Sequence, residues 1–295
     1  MLETTVKEKM RETRRKPDWL KVRLPNTPEF NRVRAVLADL QLHSVCQEAR
    51  CPNIAECFHS GTATFLILGD ICTRNCGYCN VRRGTPAPLD EEEPERIAAA
   101  VKTLGLSYAV ITSVTRDDLP DGGAKIFASC IKNLRRDVPG CKVEVLIPDL
   151  QGNWNALDVI MEVQPDVINH NMEVVKRLFP SLRPRGNYQI SLELLKRIRE
   201  SQGKIVSKSG FMIGFGEGWN DILDLLRDVA AVGCERLTIG QYQQPKRELW
   251  PVKKYYHPDE FETLKRIASQ TGFKHVESGP LVRSSYHAAR ASKKE

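Results

Sequence analysis

Residues 64–80 read TFLILGDICTRNCGYCN, an apolar run of strand length followed by three cysteines. The apolar segment 64–68 ends at Gly69 and predicts a short buried β-strand. Cys72, Cys76 and Cys79 then follow with the spacing C-x3-C-x2-C. Three thiolates on one loop can hold three irons of a [4Fe-4S] cluster and leave the fourth iron open to another molecule. A structural zinc site is the alternative, but it requires a fourth ligand that this loop does not supply.

Short apolar strands alternate with amphipathic helices after this point. The predicted strands cover residues 64–68, 108–113, 143–148, 166–169, 210–214 and 236–240. The predicted helices cover residues 95–104, 124–136, 154–162, 192–200 and 221–232, after an earlier one at 31–42. Such alternation predicts a parallel sheet with right-handed crossovers. Six units are too few to close an eight-stranded barrel, and no dinucleotide-binding G-x-G-x-x-G follows the first strand. We therefore predict an α/β fold, a partial (β/α)6 TIM-type barrel with N- and C-terminal extensions.

Functional residues of such barrels collect where strands run into the following helices. The cysteines of residues 72–79 follow the first predicted strand. The polar segments 112–118, 169–173 and 214–217 follow later strands. The sequence therefore places its chemistry at one rim of the sheet.

A second group of cysteines precedes the first strand. Cys46, Cys51 and Cys57 have the spacing C-x4-C-x5-C and suggest another cluster with one open iron. We call these the first cysteine set, and the three cysteines of residues 72–79 the second cysteine set. We divide the chain into an N-terminal extension at 1–58, the barrel at 59–272 and a C-terminal extension at 273–295.

Composition narrows the class of protein. Lys and Arg exceed Asp and Glu by 44 − 37 = 7, which favours acidic partners; nucleic acid is a weak candidate, and we expect none. No apolar run approaches the roughly 18 residues of a membrane span. The N-terminus lacks the apolar core of a secretion signal, so we expect a cytoplasmic protein. Nine cysteines in such a compartment are better explained by metal ligation than by disulfides.

The second cysteine set, with an aromatic residue before its last cysteine, closely resembles the motif of the radical S-adenosylmethionine (radical SAM) enzymes. In that family the open iron chelates the amino and carboxylate groups of S-adenosylmethionine. An electron from the cluster then cleaves the molecule to a 5′-deoxyadenosyl radical. The resemblance implies that Tyr78 lies beside the adenine; an ordinary packed aromatic is the alternative.

A narrower resemblance extends through nearly the whole chain. Residues 46–57 (CQEARCPNIAEC) and 61–65 (GTATF) resemble the lipoyl synthases, as do segments 112–124, 169–171, 183–185 and 278–287. In that family three cysteines and a serine of an R-S-S-Y motif hold an auxiliary [4Fe-4S] cluster. The serine here is Ser284 or Ser285, and we favour Ser285. Oxygen is a harder ligand for iron than thiolate, so that iron should be released more easily.

The resemblance implies insertion of two sulfur atoms at C6 and C8 of an octanoyl chain in amide linkage on a carrier lysine. Two S-adenosylmethionine molecules are consumed, and the auxiliary cluster supplies both sulfurs. The implied partners are an octanoylated carrier domain of the 2-oxoacid dehydrogenase E2 or glycine cleavage H protein type, an electron donor such as flavodoxin or ferredoxin, and an iron-sulfur assembly or carrier protein. We expect Arg14, Arg15 and Lys16 to attract an acidic carrier.

Five further rim residues are candidates for contacts with S-adenosylmethionine: Ser113, Asn169, Asn171, Gly214 and Glu217. Simple turns and loop hydrogen bonds are the alternatives for the glycine motif and the asparagines. We predict no catalytic side chain beyond the cluster ligands. Arg183 and Arg185 could orient acidic groups by bidentate contacts.

The chain also departs from the family pattern. Gln243 stands where leucine is usual, and Glu248 and Trp250 lie where histidine and then leucine normally precede the proline. Gly218 replaces a threonine and Asn80 an aspartate. None of these changes removes a cluster ligand. A related radical enzyme with another acyl or peptide substrate therefore remains an alternative, and an iron-sulfur electron carrier is a second one.

Overall fold

The computed structural model describes residues 16–22, 27–59, 63–201, 203–286 and 288. Arg14, Arg15 and part of segment 61–65 lie outside the described residues, as does His287. Among the described helices, none combines the length and the apolar content required to cross a bilayer.

Eight strands form one sheet, and two short strands form a separate pair. In chain order the strands are β1 (His43–Ser44), β2 (Thr64–Ile67), β3 (Ile71–Cys72), β4 (Arg82–Arg83), β5 (Tyr108–Ser113), β6 (Lys142–Leu146), β7 (Val167–Asn169), β8 (Val206–Ile213), β9 (Arg236–Gln241) and β10 (His275–Gly279). The sheet has the order β1-β2-β5-β6-β7-β8-β9-β10, and all its neighbours are parallel except the antiparallel pair of β1 and β2. The sheet does not close among the described residues, because β1 and β10 are its two edges.

Ten α-helices accompany these strands in the described part of the chain. They are α1 (Pro28–Asp39), α2 (Val45–Glu48), α3 (Ile54–His59), α4 (Glu93–Leu104), α5 (Ala124–Asp137), α6 (Trp154–Glu162), α7 (Phe179–Leu182), α8 (Tyr188–Glu200), α9 (Trp219–Ala231) and α10 (Pro258–Thr271). Short 3-10 turns cover Asp18–Leu20, Leu150–Gly152 and Lys176–Leu178.

Helix starts follow from local capping chemistry. Thr27 Oγ1 accepts a hydrogen bond from the Phe30 amide at 3.2 Å, and Pro28 occupies the first turn. This cap starts α1 three residues before the predicted helix, since proline is already preorganised for a first turn. The Asn187 side chain starts α8 in the same way, by accepting from two backbone amides.

The α/β class and the partial barrel are confirmed, and all six predicted strands are present. One parallel strand, β10, was not predicted, so the sheet has seven parallel strands rather than six. Its sequence, HVESG, contains a single strongly apolar residue, Val276, because an edge strand is covered less completely than a central one. β10 lies within the predicted C-terminal extension and pairs with β9.

Strand β8 begins four residues before the predicted strand at 210–214, at Val206. Three of the four missed residues are polar, and one of them, Lys208, is buried in an ion pair. Lys208 Nζ lies 2.7 Å from Glu144 Oε1, and the Tyr108 hydroxyl donates to Glu144 Oε2 at 2.7 Å. Buried charges of this kind require a partner. The charged residues of β6 and β8 therefore fit a strand that the apolar pattern alone does not reveal.

Candidate active site

The second cysteine set begins at Cys72, the last residue of β3, and continues on the loop that follows, which neighbouring backbone holds in place. The Gly77 amide donates to the Leu182 carbonyl at 2.8 Å, and the Trp250 amide donates to the Gly77 carbonyl at 2.9 Å. Cys72 Sγ accepts from the Thr115 amide at 3.4 Å. The three cysteines are thus held between the α7 turn, the segment after β5 and the loop after β9.

Arg74 anchors the same loop from within. It is buried, and its guanidinium makes paired hydrogen bonds of 2.6–2.8 Å to Asp117 and Asp149. Burial favours a neutral Asp149, but the hydrogen bonds from Arg74 prevail and lower its pKa to about 2. The sequence reasoning did not identify Arg74, because an arginine inside a cysteine motif carries no signal of its distant partners.

The first cysteine set surrounds the loop between α2 and α3. Cys46 is buried in α2, Cys57 lies in α3, and Cys51 lies between the helices. Burial raises the pKa of the Cys51 thiol to about 11; Cys46 adds to the rise and Arg283 opposes it. Burial is also the main cause that raises the pKa of Cys57, and Cys46 and Cys51 add to the rise. The three thiols of this set therefore influence one another's pKa.

The C-terminal segment lies against this first set. Three hydrogen bonds join them across more than 200 positions of sequence. They are Asn53 Nδ2 to the Leu281 carbonyl (2.6 Å), the Tyr286 hydroxyl to Glu56 Oε2 (2.9 Å), and Thr64 Oγ1 to Ser285 Oγ (2.8 Å). The neighbouring Ser284 Oγ accepts instead from Asn171 Nδ2 at 2.5 Å.

Gly240 in β9 permits this close approach. A Cβ atom at Gly240 would lie 2.2 Å from the Val282 carbonyl oxygen, far inside contact distance. Only glycine leaves room for backbone this close.

A cavity of about 440 Å³ connects these parts. Cys46 and Cys51 of the first cysteine set line it, as do Cys79 of the second set, Ser284 and Ser285. Much of the remaining wall is apolar. The volume lies within the range of small-molecule sites.

Tyr78 also lines this cavity. Its ring meets Phe215 edge to face, with centroids 6.1 Å apart, and Phe215 stacks on Tyr242 at 4.2 Å. Burial, with Glu173 adding to the effect, raises the pKa of Tyr78 well above its usual value. Tyr78 therefore presents a neutral aromatic surface.

Three other predicted contact residues have polar atoms without a hydrogen-bond partner among the described residues. The atoms are Ser113 Oγ, Asn169 Oδ1 and Asn171 Oδ1, all shielded from solvent. Asn169 Nδ2 donates a hydrogen bond to Glu144. Asn171 Nδ2 donates to Glu173 and to Ser284. Asn171 lines the cavity, so its oxygen is available to a ligand with hydroxyl or amino donors, whereas Asn169 is completely buried. An unpaired buried polar atom is unfavourable, so these atoms fit a polar ligand at the rim.

Gly214 and Glu217 form a closed turn. The Glu217 carboxylate accepts from the Gly214 amide at 2.6 Å and from the Phe215 amide at 2.9 Å. Gly214 has a φ of +116°, which favours glycine. Neither residue is among those that line the cavity, so their described contacts are those of the turn itself.

Glu173 and Arg183 extend the polar rim. Asn171 Nδ2 donates to Glu173 Oε1 at 2.9 Å, and Arg183 Nη1 donates to the Asn171 carbonyl at 2.9 Å. Burial raises the pKa of Glu173, and Arg183 partly offsets this. The predicted orienting arginine Arg183 thus holds backbone here, while Arg185 donates to the Thr73 carbonyl at 3.0 Å.

His43, Glu48 and Asp70 bring three possible metal-ligand atoms within 4.8 Å of one another. This group was not predicted from the sequence. Asp70 is already paired with Arg82. We therefore interpret the group as ion pairing at the edge of the sheet.

Comparison with known proteins shows which families and proteins the chain is similar to. A sequence profile described as the Radical SAM superfamily matches residues 66–229, and one described as the N-terminal domain of lipoyl synthase of the Radical SAM family matches residues 1–51. Lipoyl synthase from Rubrobacter xylanophilus is 51% identical over 273 residues, covering 92% of this chain and 85% of that protein. Lipoyl synthase from Caldicellulosiruptor saccharolyticus is 50% identical over 279 residues, covering 95% and 98%.

Solved structures show the same fold at much lower identity. Methylornithine synthase matches with a TM-score of 0.54 at 14% identity, covering 86% of this chain and 82% of that one. The FeFe-hydrogenase maturase from Carboxydothermus hydrogenoformans matches with a TM-score of 0.55 at 13% identity, covering 99% and 77%. At this identity the likeness concerns the fold alone.

Proposed function

The chain belongs to the lipoyl synthase family of the radical SAM superfamily, and on that premise we propose that it inserts two sulfur atoms into a protein-bound octanoyl chain. The sulfurs enter at C6 and C8 and convert the octanoyl group to a lipoyl group. The observation that carries this proposal is the convergence of Cys46 and Cys51 of the first cysteine set, Cys79 of the second set and the two C-terminal serines on one cavity. An electron carrier has no need of such a cavity.

The second cysteine set would hold the radical SAM [4Fe-4S] cluster. When bound, this cluster and S-adenosylmethionine supply the radical that removes hydrogen from an unactivated carbon. Tyr78 offers an apolar face for the adenine. The free oxygens of Ser113, Asn169 and Asn171 can accept hydrogen bonds from hydroxyl and amino groups of the cofactor.

The first cysteine set and Ser285 would hold a second [4Fe-4S] cluster, which would supply both sulfur atoms. Thr64 Oγ1 donates to Ser285 Oγ at 2.8 Å and so stabilises negative charge on that oxygen. Serine oxygen matches iron less well than thiolate. The iron that Ser285 would hold would then be released more readily than the irons held by thiolates.

The proposed substrate is an octanoylated lipoyl carrier domain in the cytoplasm. The net charge of +7 complements an acidic carrier. Flavodoxin or ferredoxin would supply electrons, and an iron-sulfur assembly or carrier protein would rebuild the spent cluster.

Anaerobic incubation with dithionite, S-adenosylmethionine and an octanoylated carrier tests the proposal by mass spectrometry. We expect a carrier heavier by two sulfurs, with 5′-deoxyadenosine formed in parallel. Deoxyadenosine without sulfur insertion would favour a related enzyme with another substrate, a possibility raised by Gln243, Glu248 and Trp250. Absence of both products would favour an electron carrier.

Replacement of one proposed cluster ligand distinguishes the roles of the two clusters. Cys51→Ala should retain formation of 5′-deoxyadenosine and lose sulfur insertion, because only the sulfur source is damaged. Cys141→Ala is the matched control, since Cys141 is buried outside both cysteine sets. Lipoyl formation by Cys51→Ala would contradict the role of the first cysteine set.

A further inference from the structure

Gln243 follows β9 and borders the cavity. Only 8% of its surface is exposed, and the two ends of its side-chain amide differ. Gln243 Oε1 accepts a hydrogen bond from Lys16 Nζ at 3.0 Å. Gln243 Nε2 is buried and has no acceptor among the described residues.

Lys16 determines which way this amide faces. A lysine ammonium has only donors, so it must face the oxygen of Gln243 and not the NH2 group. The NH2 group therefore lies on the side away from Lys16, with two N–H donors. A buried donor without an acceptor is unfavourable, which indicates an acceptor that the protein itself does not provide.

The surroundings of Gln243 suit the end of an acyl chain. Lys16 and Val22 are exposed, and both line the cavity, so these two residues form part of its outer wall. Apolar residues line other parts of it, among them Val45, Phe211 and Met212. A ligand that matches this wall has a polar group near Lys16 and an apolar chain beyond it.

We propose that Gln243, oriented by Lys16, donates a hydrogen bond to the carbonyl oxygen of the amide that joins the octanoyl chain to the carrier lysine. This inference rests on the proposed function. The carrier domain is too large to enter the cavity, so the amide linkage must lie near the outer wall while the acyl chain lies deeper. Leucine, the usual residue of the family at this position, has no donor, so Gln243 would add a contact for the linkage itself.

Two peptides distinguish this hydrogen bond from binding of the acyl chain. One carries N6-octanoyl-lysine, and the other carries the thioamide analogue, whose sulfur is a weaker acceptor of similar shape. Their affinities are measured by fluorescence anisotropy with the full-length, cluster-loaded protein. We expect wild type to prefer the amide about fivefold, a ratio typical of one net hydrogen bond.

Gln243→Leu should abolish this preference by weakening the octanoyl peptide alone. Gln243→Glu should also abolish it, because a carboxylate still pairs with Lys16 but donates nothing. Gln244→Leu is the matched control: Gln244 lines the same cavity, but its Nε2 already donates to the Leu249 carbonyl at 2.8 Å. It should keep the wild-type preference.

An unchanged preference in both Gln243 variants overturns the inference, as does equal affinity of wild type for the two acylated peptides. Those results leave the proposed function intact. A third peptide, with an unmodified lysine, is the reference for acyl binding. If wild type binds the octanoyl peptide no better than this reference, the proposed function fails and the inference fails with it.

Discussion

Ser284 and Ser285 are adjacent in the chain but have different surroundings. Ser285 Oγ accepts a hydrogen bond from Thr64 Oγ1, beside the first cysteine set. Ser284 Oγ instead accepts a hydrogen bond from Asn171 Nδ2, and Asn171 is a predicted cofactor contact. This difference supports Ser285 as the proposed fourth ligand. Ser284 is better placed to hold Asn171.

Ser285→Ala should therefore release one iron per chain, from about eight to about seven. Iron analysis and electron paramagnetic resonance of the reconstituted protein measure this, and sulfur insertion should fall while 5′-deoxyadenosine still forms. Ser284→Ala should keep its iron. The reverse pattern would assign the ligand to Ser284.

The ion pair between Arg74 and Asp149 stabilises the loop that carries the second cysteine set. Asp149→Asn should reduce the free energy of unfolding by about 2 kcal/mol, because a buried guanidinium loses a charged acceptor. Denaturant unfolding at neutral pH measures the change. A shift below about 0.5 kcal/mol would show that Asp117 alone satisfies Arg74.

The pH dependence of this contact follows from the direction in which the pKa of Asp149 is shifted. The pKa of Asp149 is lowered to about 2, so its contribution is complete above the ordinary carboxyl pKa and is lost only as pH falls toward 2. The stability difference between wild type and Asp149→Asn should hence be constant from about pH 6 to 8.

At the scale of elements, β9 positions the C-terminal segment. Gly240 in β9 pairs with Gly279 in β10, and the chain then turns back so that the Val282 carbonyl approaches Gly240. The strand that sequence patterns missed is the one that delivers the serines to the cavity.

Gly240→Ala should displace this segment, because its Cβ would overlap the Val282 carbonyl oxygen. We expect loss of sulfur insertion with 5′-deoxyadenosine retained. Gly279→Ala is a close control, since its Cβ would meet Val282 Cγ2 at an ordinary 3.4 Å. Equal activity of the two variants would refute the proposed role of this contact.

At the scale of the whole molecule, described residues from the N-terminal and C-terminal parts of the chain meet at the carboxyl rim of the sheet. Asn53 and Leu281 are hydrogen bonded although they lie 228 positions apart. Lys16 and Gln243 are 227 positions apart and close the outer wall. The barrel thus supplies a frame on which both extensions complete the cavity.

The basic charge of the whole chain predicts salt-sensitive binding of an acidic carrier. The double variant Arg14→Glu with Arg15→Glu lowers the net charge from +7 to +3 (7 − 4 = 3) and should raise KM for the carrier severalfold at low salt. Lys196→Glu with Arg227→Glu makes the same change on exposed helix surfaces. An equal rise in both would attribute the effect to net charge rather than to the N-terminal arm.

Much of the fold was predictable because its signals are local. The strand at 108–113 and the helix at 154–162 were predicted with the bounds that the structure has, since apolar periodicity and caps act over a few residues. Cys130, Cys141 and Cys234, which lie outside both cysteine sets, are buried. The start of β8 was missed because its polar residues are satisfied by partners on other strands.

The sequence by itself determined the α/β class, the spacing of both cysteine sets and the gathering of polar segments at one rim, because these are encoded within short stretches. Only the tertiary structure decided that Ser285 lies beside Thr64, that Asn171 holds Ser284, and that Lys16 orients Gln243. Such contacts depend on how distant segments pack in three dimensions, and no local pattern records them.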